Sequence, residues 1–420
     1  MSFPNAPLEG SSHVGPRAAL AFVALSVCLD YLAQSISFPV LPRLAQHLLG
    51  GDLAGAARWV GVLEVAWALP QFFAAPLLGV LSDRFGRRPV IVWSLFGVAA
   101  ELVLNALAPN MAWLLAGRIF CGLTCGAQAA AMAYVADITP PEGRTRSFGW
   151  LNAAVWSGII LGPALGGLLS VRDVRTPFWA AAGVALVGGV YGFLMLPESL
   201  RREDRAPIRW SKANPWGAVD LLVRRPGLLT LGLTQLLIWL AFQGTSNMMV
   251  LYTAFRYGWS PLTFGVFAMV LASANVVVQA GVAGRLARRL GERRAALVGL
   301  GLQTATFAAV GLAPNGALFW AAKLVSVLGA VAGPALQTMM TAKVSAHEQG
   351  RLQGAIGSIA SLTGIVAPIA FTQMFAWSIT GGRGSGWSGL TILIGAALSL
   401  AAWGLVAASH RGGPSTRGAT

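Results

Sequence analysis

The chain has 420 residues, of which 55% are hydrophobic and only 11% are charged, and its formal net charge is +15. Soluble domains carry about 25% charged residues, so this composition excludes an ordinary soluble enzyme or binding domain. The apolar stretches reach about 20 residues, the length of a helix that crosses a bilayer. The sequence therefore predicts an all-α membrane protein.

The hydrophobic pattern predicts twelve transmembrane helices, the first of which is too long to be a signal-peptide core. The predicted spans are 18–40, 59–80, 90–108, 111–133, 148–170, 177–196, 227–251, 262–283, 295–313, 316–341, 352–376 and 386–408. The longest polar interruption separates six spans from six. We therefore expect an N-terminal tail, a six-helix bundle, a central loop, a second six-helix bundle and a C-terminal tail. These segments are 1–17, 18–196, 197–226, 227–408 and 409–420.

The basic residues are distributed unevenly between the two sides of the predicted membrane. With both termini on one side, the segments on that side carry 22 of the 30 Lys and Arg residues. Arg-rich short loops face the cytoplasm, which predicts that both termini are cytoplasmic. The net charge thus reports topology, and we expect the lipid bilayer, not nucleic acid, as the partner. Two basic residues, Arg118 and Lys323, lie inside spans.

The sequence contains no motif for a cofactor, a metal or covalent catalysis. The three cysteines fall within spans and are interpreted as small packing residues. No CxxC pair, His cluster, Walker loop or GxSxG elbow is present. We therefore expect neither an enzyme nor an ATP-driven pump, and no cofactor.

An internal repeat relates the two halves of the chain. Residues 79–89, "GVLSDRFGRRP", and 284–294, "GRLARRLGERR", align at an offset of 205 residues. The same offset pairs Arg118 with Lys323 and Pro163 with Pro368. The chain is predicted to be two parallel six-helix repeats, and transporters commonly build an alternating-access site where such repeats meet.

The charged stretch 79–89 is predicted to be a short cytoplasmic loop between the second and third spans. Its arginines would hold the loop at the cytoplasmic face, and its glycines would permit a tight turn. We expect Asp83 to accept hydrogen bonds from the N-terminal amides of a neighbouring helix in one conformational state. The alternative is a topology anchor. The residues of this gate motif are Gly79, Asp83, Arg84, Gly86, Arg87 and Arg88.

Buried charges indicate where a proton could be exchanged. An unpaired ion at mid-bilayer costs at least about 2.5 kcal/mol, so each needs a partner, a wet cavity or a proton. Asp30 and Glu101 lie at similar predicted depths, about 17 Å, and we expect them to form a coupled pair. Arg118 would bias proton loss from a nearby carboxyl, with a structural ion pair as the alternative. Glu64, near the start of its predicted span, is interpreted as a wetted rim residue.

A second motif, "GIILGPALGG" at 158–167, combines closely spaced glycines with a proline. Such glycines let helices approach closely, and the proline permits a kink. Its residues are Gly158, Gly162, Pro163, Gly166 and Gly167. Polar residues in other spans are predicted to line a substrate cavity. They are Gln34, Gln71, Asn152, Gln235, Gln243, Asn247, Asn275 and Gln303.

These stretches resemble known motifs of the major facilitator superfamily. Residues 79–89 are similar to its motif A, and 114–122 and 158–167 to motifs of its drug/proton antiporters. Residues 30–44 and 334–354 resemble the tetracycline/proton antiporters most closely. The resemblance covers about 18–408. It implies the major facilitator fold and proton-coupled export of tetracycline-like or other amphipathic drugs, from a bacterial inner membrane, by a monomer.

The sequence departs from the tetracycline/proton antiporters in its second half. Those antiporters carry a histidine in the eighth span and an aspartate in the ninth, where this chain has Asn275 and Gln303. Proton coupling is therefore expected in the N-terminal half, at Asp30 and Glu101. The departure also weakens tetracycline itself as the substrate.

Two other interpretations stay open at this point. The first is a facilitator of a polar metabolite or organic anion that uses Arg118 and Lys323. The second is a membrane enzyme or receptor on the same scaffold, which the absence of a catalytic constellation disfavours.

Overall fold

The protein is all-helical where its structure is described. The computed structural model describes residues 16–200, 203, 205, 226–345, 348–380 and 388–409, and within these ranges no strand is formed. Twelve helices are long and apolar enough to cross a membrane, which confirms the predicted number. These spans, numbered here in chain order, are Arg17–Leu48, Leu53–Phe85, Arg87–Leu107, Met111–Ile138, Arg146–Leu169, Thr176–Met195, Gly227–Tyr257, Pro261–Leu290, Glu292–Leu312, Gly316–Thr341, Leu352–Ile379 and Leu390–Ala408.

Four of the spans are interrupted. Their pieces are Pro16–Ser37 and Leu41–Leu48 in the first, Met111–Thr124 and Ala127–Ile138 in the fourth, Pro261–Val278, a π-turn Gln279–Ala283 and Gly284–Leu290 in the eighth, and Gly316–Ser326, a 3₁₀ turn Val327–Val331 and Ala332–Thr341 in the tenth. At the fourth-span break, Ser94 Oγ donates to the Thr124 carbonyl at 2.8 Å and accepts from Gly126 N at 3.0 Å. One hydroxyl thus serves both helix ends that the break exposes.

The turn between the second and third spans is one residue long. Helix Leu53–Phe85 ends directly before Gly86, and the next helix starts at Arg87. Gly86 has a φ of 111°, a backbone conformation that residues with a Cβ rarely adopt. Because glycine reverses the chain in a single residue, most of 79–89 is helical. The prediction that these eleven residues form a loop is therefore wrong.

The second repeat reproduces this geometry at the offset of 205 residues. Gly291 has φ of 77° and separates the eighth span from the ninth, which begins at Glu292. Asn110 and Asn315, also 205 residues apart, cap the fourth and tenth spans by accepting backbone N–H groups. The two halves share helix starts and caps, which confirms the predicted repeat.

Backbone contacts divide the described chain into two compact units. The first contains the described residues of 1–213 together with Gly258–Ala272, and the second contains those of 214–257 and 273–420. The start of the eighth span thus packs within the first unit, a detail that the predicted division into 18–196 and 227–408 does not contain.

Each unit has its own apolar core. Leu63, Leu102 and Phe178, from the second, third and sixth spans, are fully or almost fully buried in one cluster of the first unit. In the second unit the buried ring of Tyr252 lies 6.1 Å from the rings of both Phe319 and Phe375. Within a bilayer such side chains stabilise each unit through close van der Waals packing between its helices.

Candidate functional site

The guanidinium of Arg118 lies between two carboxylates inside the first unit. Its Nη2 is 2.8 Å from Glu64 Oε1, and its Nη1 is 3.3 Å from Glu101 Oε1. The side chains of Arg118, Glu64 and Glu101 are 15%, 20% and 5% exposed, respectively. Asn105 Nδ2 also donates to Glu101 Oε1, at 3.3 Å. We call Glu64, Glu101 and Arg118 the intramembrane ion cluster.

The position of Glu64 corrects a sequence-based interpretation. Asp52 caps the second span by accepting from Gly55 N at 2.9 Å, so this helix begins at Leu53 rather than near 59. Glu64 therefore lies about 17 Å from the start of this helix. It is a half-buried partner of Arg118, a contact that the wetted-rim interpretation did not contain.

A glycine makes room for the ion cluster between the third and fourth spans. A Cβ on Gly117 would lie 3.2 Å from Asn105 Oδ1 and 3.5 Å from Glu101 Cγ. A side chain at Gly117 would therefore crowd Asn105 and touch the methylene stem of Glu101.

Asp30 lies apart from the ion cluster. The residue is 2% exposed, and its Oδ1 has no hydrogen-bond partner among the described residues. Gln34, one helical turn further, is within hydrogen-bonding reach of the Asp30 carboxyl. No ion pair joins Asp30 to Arg118 within the part of the chain that the structure describes. The structure thus brings Glu101 and Arg118 together and leaves Asp30 as a separate buried carboxyl.

The gate motif is tied to the rest of the first unit through Arg87. This side chain forms an ion pair with Asp83 one turn earlier, and its Nε lies 3.2 Å from Asp137 Oδ2 at the end of the fourth span. Arg87 is 11% exposed and Asp83 46%. Asp83 therefore contacts a side chain of its own motif rather than helix amides.

The anion at the start of the third span is Glu198. Its Oε1 accepts from Arg87 N at 2.8 Å, and its Oε2 accepts from Arg88 N at 3.3 Å. A carboxylate at a helix N-terminus is favoured by the free N–H groups and the helix dipole. In this structure Glu198, not Asp83, occupies the N-terminus of the third span, and the contact expected for Asp83 in one conformational state stays a prediction. Sequence reasoning missed Glu198 because it lies 111 residues from Arg87.

The other gate-motif residues differ in their surroundings. Arg88 Nη2 donates to the Phe193 carbonyl, and its guanidinium lies 5.6 Å from the Phe193 ring. This contact holds the end of the sixth span. Arg84 is exposed, and Gly79 is half-buried with open space around it.

Three glycines of the second motif pack directly on the first span. A Cβ on Gly158 would lie 2.7 Å from the Cys28 carbonyl oxygen, and one on Gly162 would lie 2.9 Å from Ile36 N. Gly166 faces the backbone of Ile36 as well. The first and fifth spans are therefore in backbone contact that no larger residue permits.

The remaining two residues of this motif contact the start of the eighth span. A Cβ on Gly167 would lie 2.5 Å from the Pro261 carbonyl oxygen, and Gly265 faces the backbone of Pro163. These contacts join Gly258–Ala272 to the rest of the first unit.

The eight predicted cavity residues are divided between the two units. Asn152 is exposed and the other seven are half-buried. The first unit carries Gln34, Gln71 and Asn152, and the second carries Gln235, Gln243, Asn247, Asn275 and Gln303.

A cavity of about 760 Å³ lies between the first and fifth spans of the first unit. Its walls include Leu20 and Trp150, and the basic residues Arg17 and Arg146 also line it. None of the eight predicted polar residues lines this cavity. Sequence reasoning missed it because alanines supply much of its wall, and alanine carries no pattern that distinguishes a cavity from a core.

Twelve spans in two related halves, with an ion cluster inside the membrane-spanning helices, define a membrane transporter. The profile of the Major Facilitator Superfamily matches residues 23–368, and the chain belongs to this family.

Curated relatives and solved structures are similar to most of the chain. The class C tetracycline resistance protein of Escherichia coli is 33% identical over 382 residues, 91% of this chain and 94% of that protein. The class G tetracycline resistance protein of Vibrio anguillarum is 34% identical over 390 residues, 91% of this chain and 96% of that protein. The nucleoside transporter NupG, with a TM-score of 0.76 and 12% identity, shares the fold over 94% of this chain and 99% of its own.

Proposed function

We propose that the protein is a proton-coupled antiporter that exports tetracycline-like or other amphipathic drug molecules by alternating access. Two relatives that are 33% and 34% identical over nine-tenths of the chain are tetracycline resistance proteins, which supports this substrate class. The observation that carries the coupling is the intramembrane ion cluster.

The ion cluster has one more negative than positive charge when both carboxyls are ionised. Glu64 and Glu101 face a single guanidinium, that of Arg118. An uncompensated charge within a span costs at least about 2.5 kcal/mol, so the cluster is favoured when it takes up one proton. Glu64, at 20% exposure, is the more accessible carboxyl and the one that exchanges with water more readily.

Asp30 provides a second group whose charge can alternate. It is buried, and one carboxylate oxygen has no partner among the described residues. In our proposal Asp30, Glu101 and Arg118 couple protons to the substrate, and Glu64 joins them. A substrate that binds from the cytoplasm displaces the protons of these carboxyls and leaves on the other side. There the carboxyls take up protons, which the return step carries inward.

The cavity between the first and fifth spans has the size and character for an amphipathic drug. Its volume of about 760 Å³ falls within the range of about 300–1,000 Å³ that ligand pockets occupy. Trp150 and several alanines supply apolar surface, and Ser147 and Ser157 supply hydroxyls.

We propose a bacterial inner membrane location with both termini cytoplasmic and a functional monomer. Reporter fusions after residues 85, 210 and 290 should be cytoplasmic, and those after 50 and 258 periplasmic, because the basic segments stay inside. The opposite pattern would remove this orientation.

The alternative, a facilitator of a polar metabolite or organic anion, needs no proton-exchanging carboxyl inside the membrane. The excess carboxylate of the ion cluster therefore favours antiport over facilitation.

The deciding experiment combines resistance with proton movement. Expression in an efflux-deficient, drug-sensitive bacterium should raise its tetracycline tolerance, and tetracycline added to acid-loaded inverted vesicles should release protons. Vesicles from cells with the empty vector are the control. Tolerance without drug-driven proton release would indicate facilitated transport and would reject the antiport mechanism.

A further inference from the structure

The repeat places an intramembrane cation in each half of the chain, but carboxylate partners in only one. At the offset of 205 residues, Lys323 corresponds to Arg118. The positions that correspond to Glu101 and Glu64 are Thr306 and Met269, which are uncharged. The second repeat therefore has the cation but neither of the two anions.

Lys323 contacts an aromatic ring and no carboxylate in the part of the chain that the structure describes. Its Nζ lies 5.4 Å from the centroid of the Phe307 ring, on the ninth span, in a cation–π contact. Thr306 donates its hydroxyl to carbonyls of its own helix, those of Leu302 and Gln303, at 2.9 and 3.0 Å. No ion pair or side-chain hydrogen bond of Lys323 occurs within the described ranges. An aromatic face compensates a desolvated ammonium only in part.

The described helices packed against this part of the tenth span add no acid near Lys323. The helix Gly316–Ser326 packs on the ninth span, whose acid Glu292 is the first residue of that helix. Lys323 lies seven residues into its own helix and is half-buried, not sealed in the core. Its ammonium is thus a partly exposed cation within a span, and no acid of the described residues balances it.

We propose that Lys323 is the substrate-binding group of the second unit and recognises the negative charge of an amphipathic substrate. This inference rests on the proposed function and names the chemistry of its substrate. The ammonium binds a carboxylate, enolate or phenolate oxygen, and the buried Phe307 ring holds the ammonium from the other side. Lysine suits this task because its compact ammonium has three donors that rotate toward an anion.

Two dyes with the same xanthene framework and opposite charge test the proposal. Binding of fluorescein, an anion, and of tetramethylrhodamine methyl ester, a cation, is measured by fluorescence anisotropy on the purified full-length protein in nanodiscs. Lys323→Gln should weaken fluorescein binding by roughly tenfold or more, the effect of one charge-assisted hydrogen bond, and leave the cationic dye unaffected. Lys323→Arg should stay within about threefold of wild type, because it keeps the charge.

Lys343→Gln is the matched control, since Lys343 lies beyond the tenth span, and it should change neither dye. Equal weakening of both dyes by Lys323→Gln would show a packing role and overturn the proposal. Unchanged fluorescein binding, or none in the wild type, would overturn it as well. The measurement needs no pH gradient. Failure of drug-driven proton release would therefore reject the antiport mechanism without deciding the Lys323 site.

Discussion

Glu198 accepts the backbone N–H of Arg87 at 2.8 Å, which joins the end of the sixth span to the start of the third. The same carboxylate accepts from the backbone of Ser199 and Leu200 at 3.0 and 3.1 Å. A Cβ on Gly86 would lie 3.0 Å from Glu198 Oε1. Glycine at this turn therefore permits both the chain reversal and the close approach of the Glu198 carboxylate, which caps the third span.

Glu198→Ala should lower the free energy of unfolding by about 1–2 kcal/mol, because it removes a helix cap. Glu198→Gln, which keeps an acceptor but loses the charge, should cost less. The measurement is the unfolding midpoint in denaturant. Glu142→Ala, which removes an exposed carboxylate near the same end of the unit, is the control. A midpoint for Glu198→Ala equal to that of the control would contradict the cap.

Glu64→Gln and Glu101→Gln should each abolish tetracycline-driven proton release from inverted vesicles. Either change leaves one carboxylate opposite the Arg118 guanidinium, so the ion cluster no longer has a surplus charge that a proton neutralises. Substrate exchange at zero gradient should continue. Glu142→Gln should release protons like the wild type, and the assignment fails if Glu64→Gln does so too.

Asp30→Asn should also abolish drug-driven proton release. Unlike a change that breaks an ion pair, it should not lower the stability of the fold. Asp30 has no ion pair among the described residues, so neutralising it removes a buried charge that nothing balances. We expect an unfolding midpoint equal to or above that of the wild type. A lower midpoint would mean that the Asp30 carboxylate stabilises the native fold.

Gly162→Ala should impair both folding and transport, because the new Cβ would lie 2.9 Å from Ile36 N on the first span. Overpacking of this kind costs about 1–3 kcal/mol. Gly149→Ala, on the same helix but with no atom within 4 Å, is the matched control. Unfolding midpoints and initial transport rates measure both. Transport by Gly162→Ala at the control rate would show that the first and fifth spans tolerate a wider separation.

The sequence alone determined the twelve spans, their repeat at an offset of 205 residues and the residues of both motifs. These features depend on hydropathy and on residue type, which a chain displays locally. The first residue of the second span was harder to predict from the sequence. Alanines and glycines precede residue 59, and the Asp52 cap determines where the helix starts. The predicted start lies about 1.7 turns too late, which placed Glu64 near the beginning of its span.

The tertiary structure decided which charges meet. Glu64, Glu101 and Arg118 come from three spans, and Glu198 and Arg87 lie 111 residues apart in the chain. Depth along a helix follows from counting residues, but the direction of each side chain around the helix depends on how the spans pack. Asp30 and Glu101 therefore shared a predicted level without sharing a site. Arg118 and Lys323 occupy matching positions in sequence, and only packing shows that the first has carboxylate partners and the second an aromatic ring.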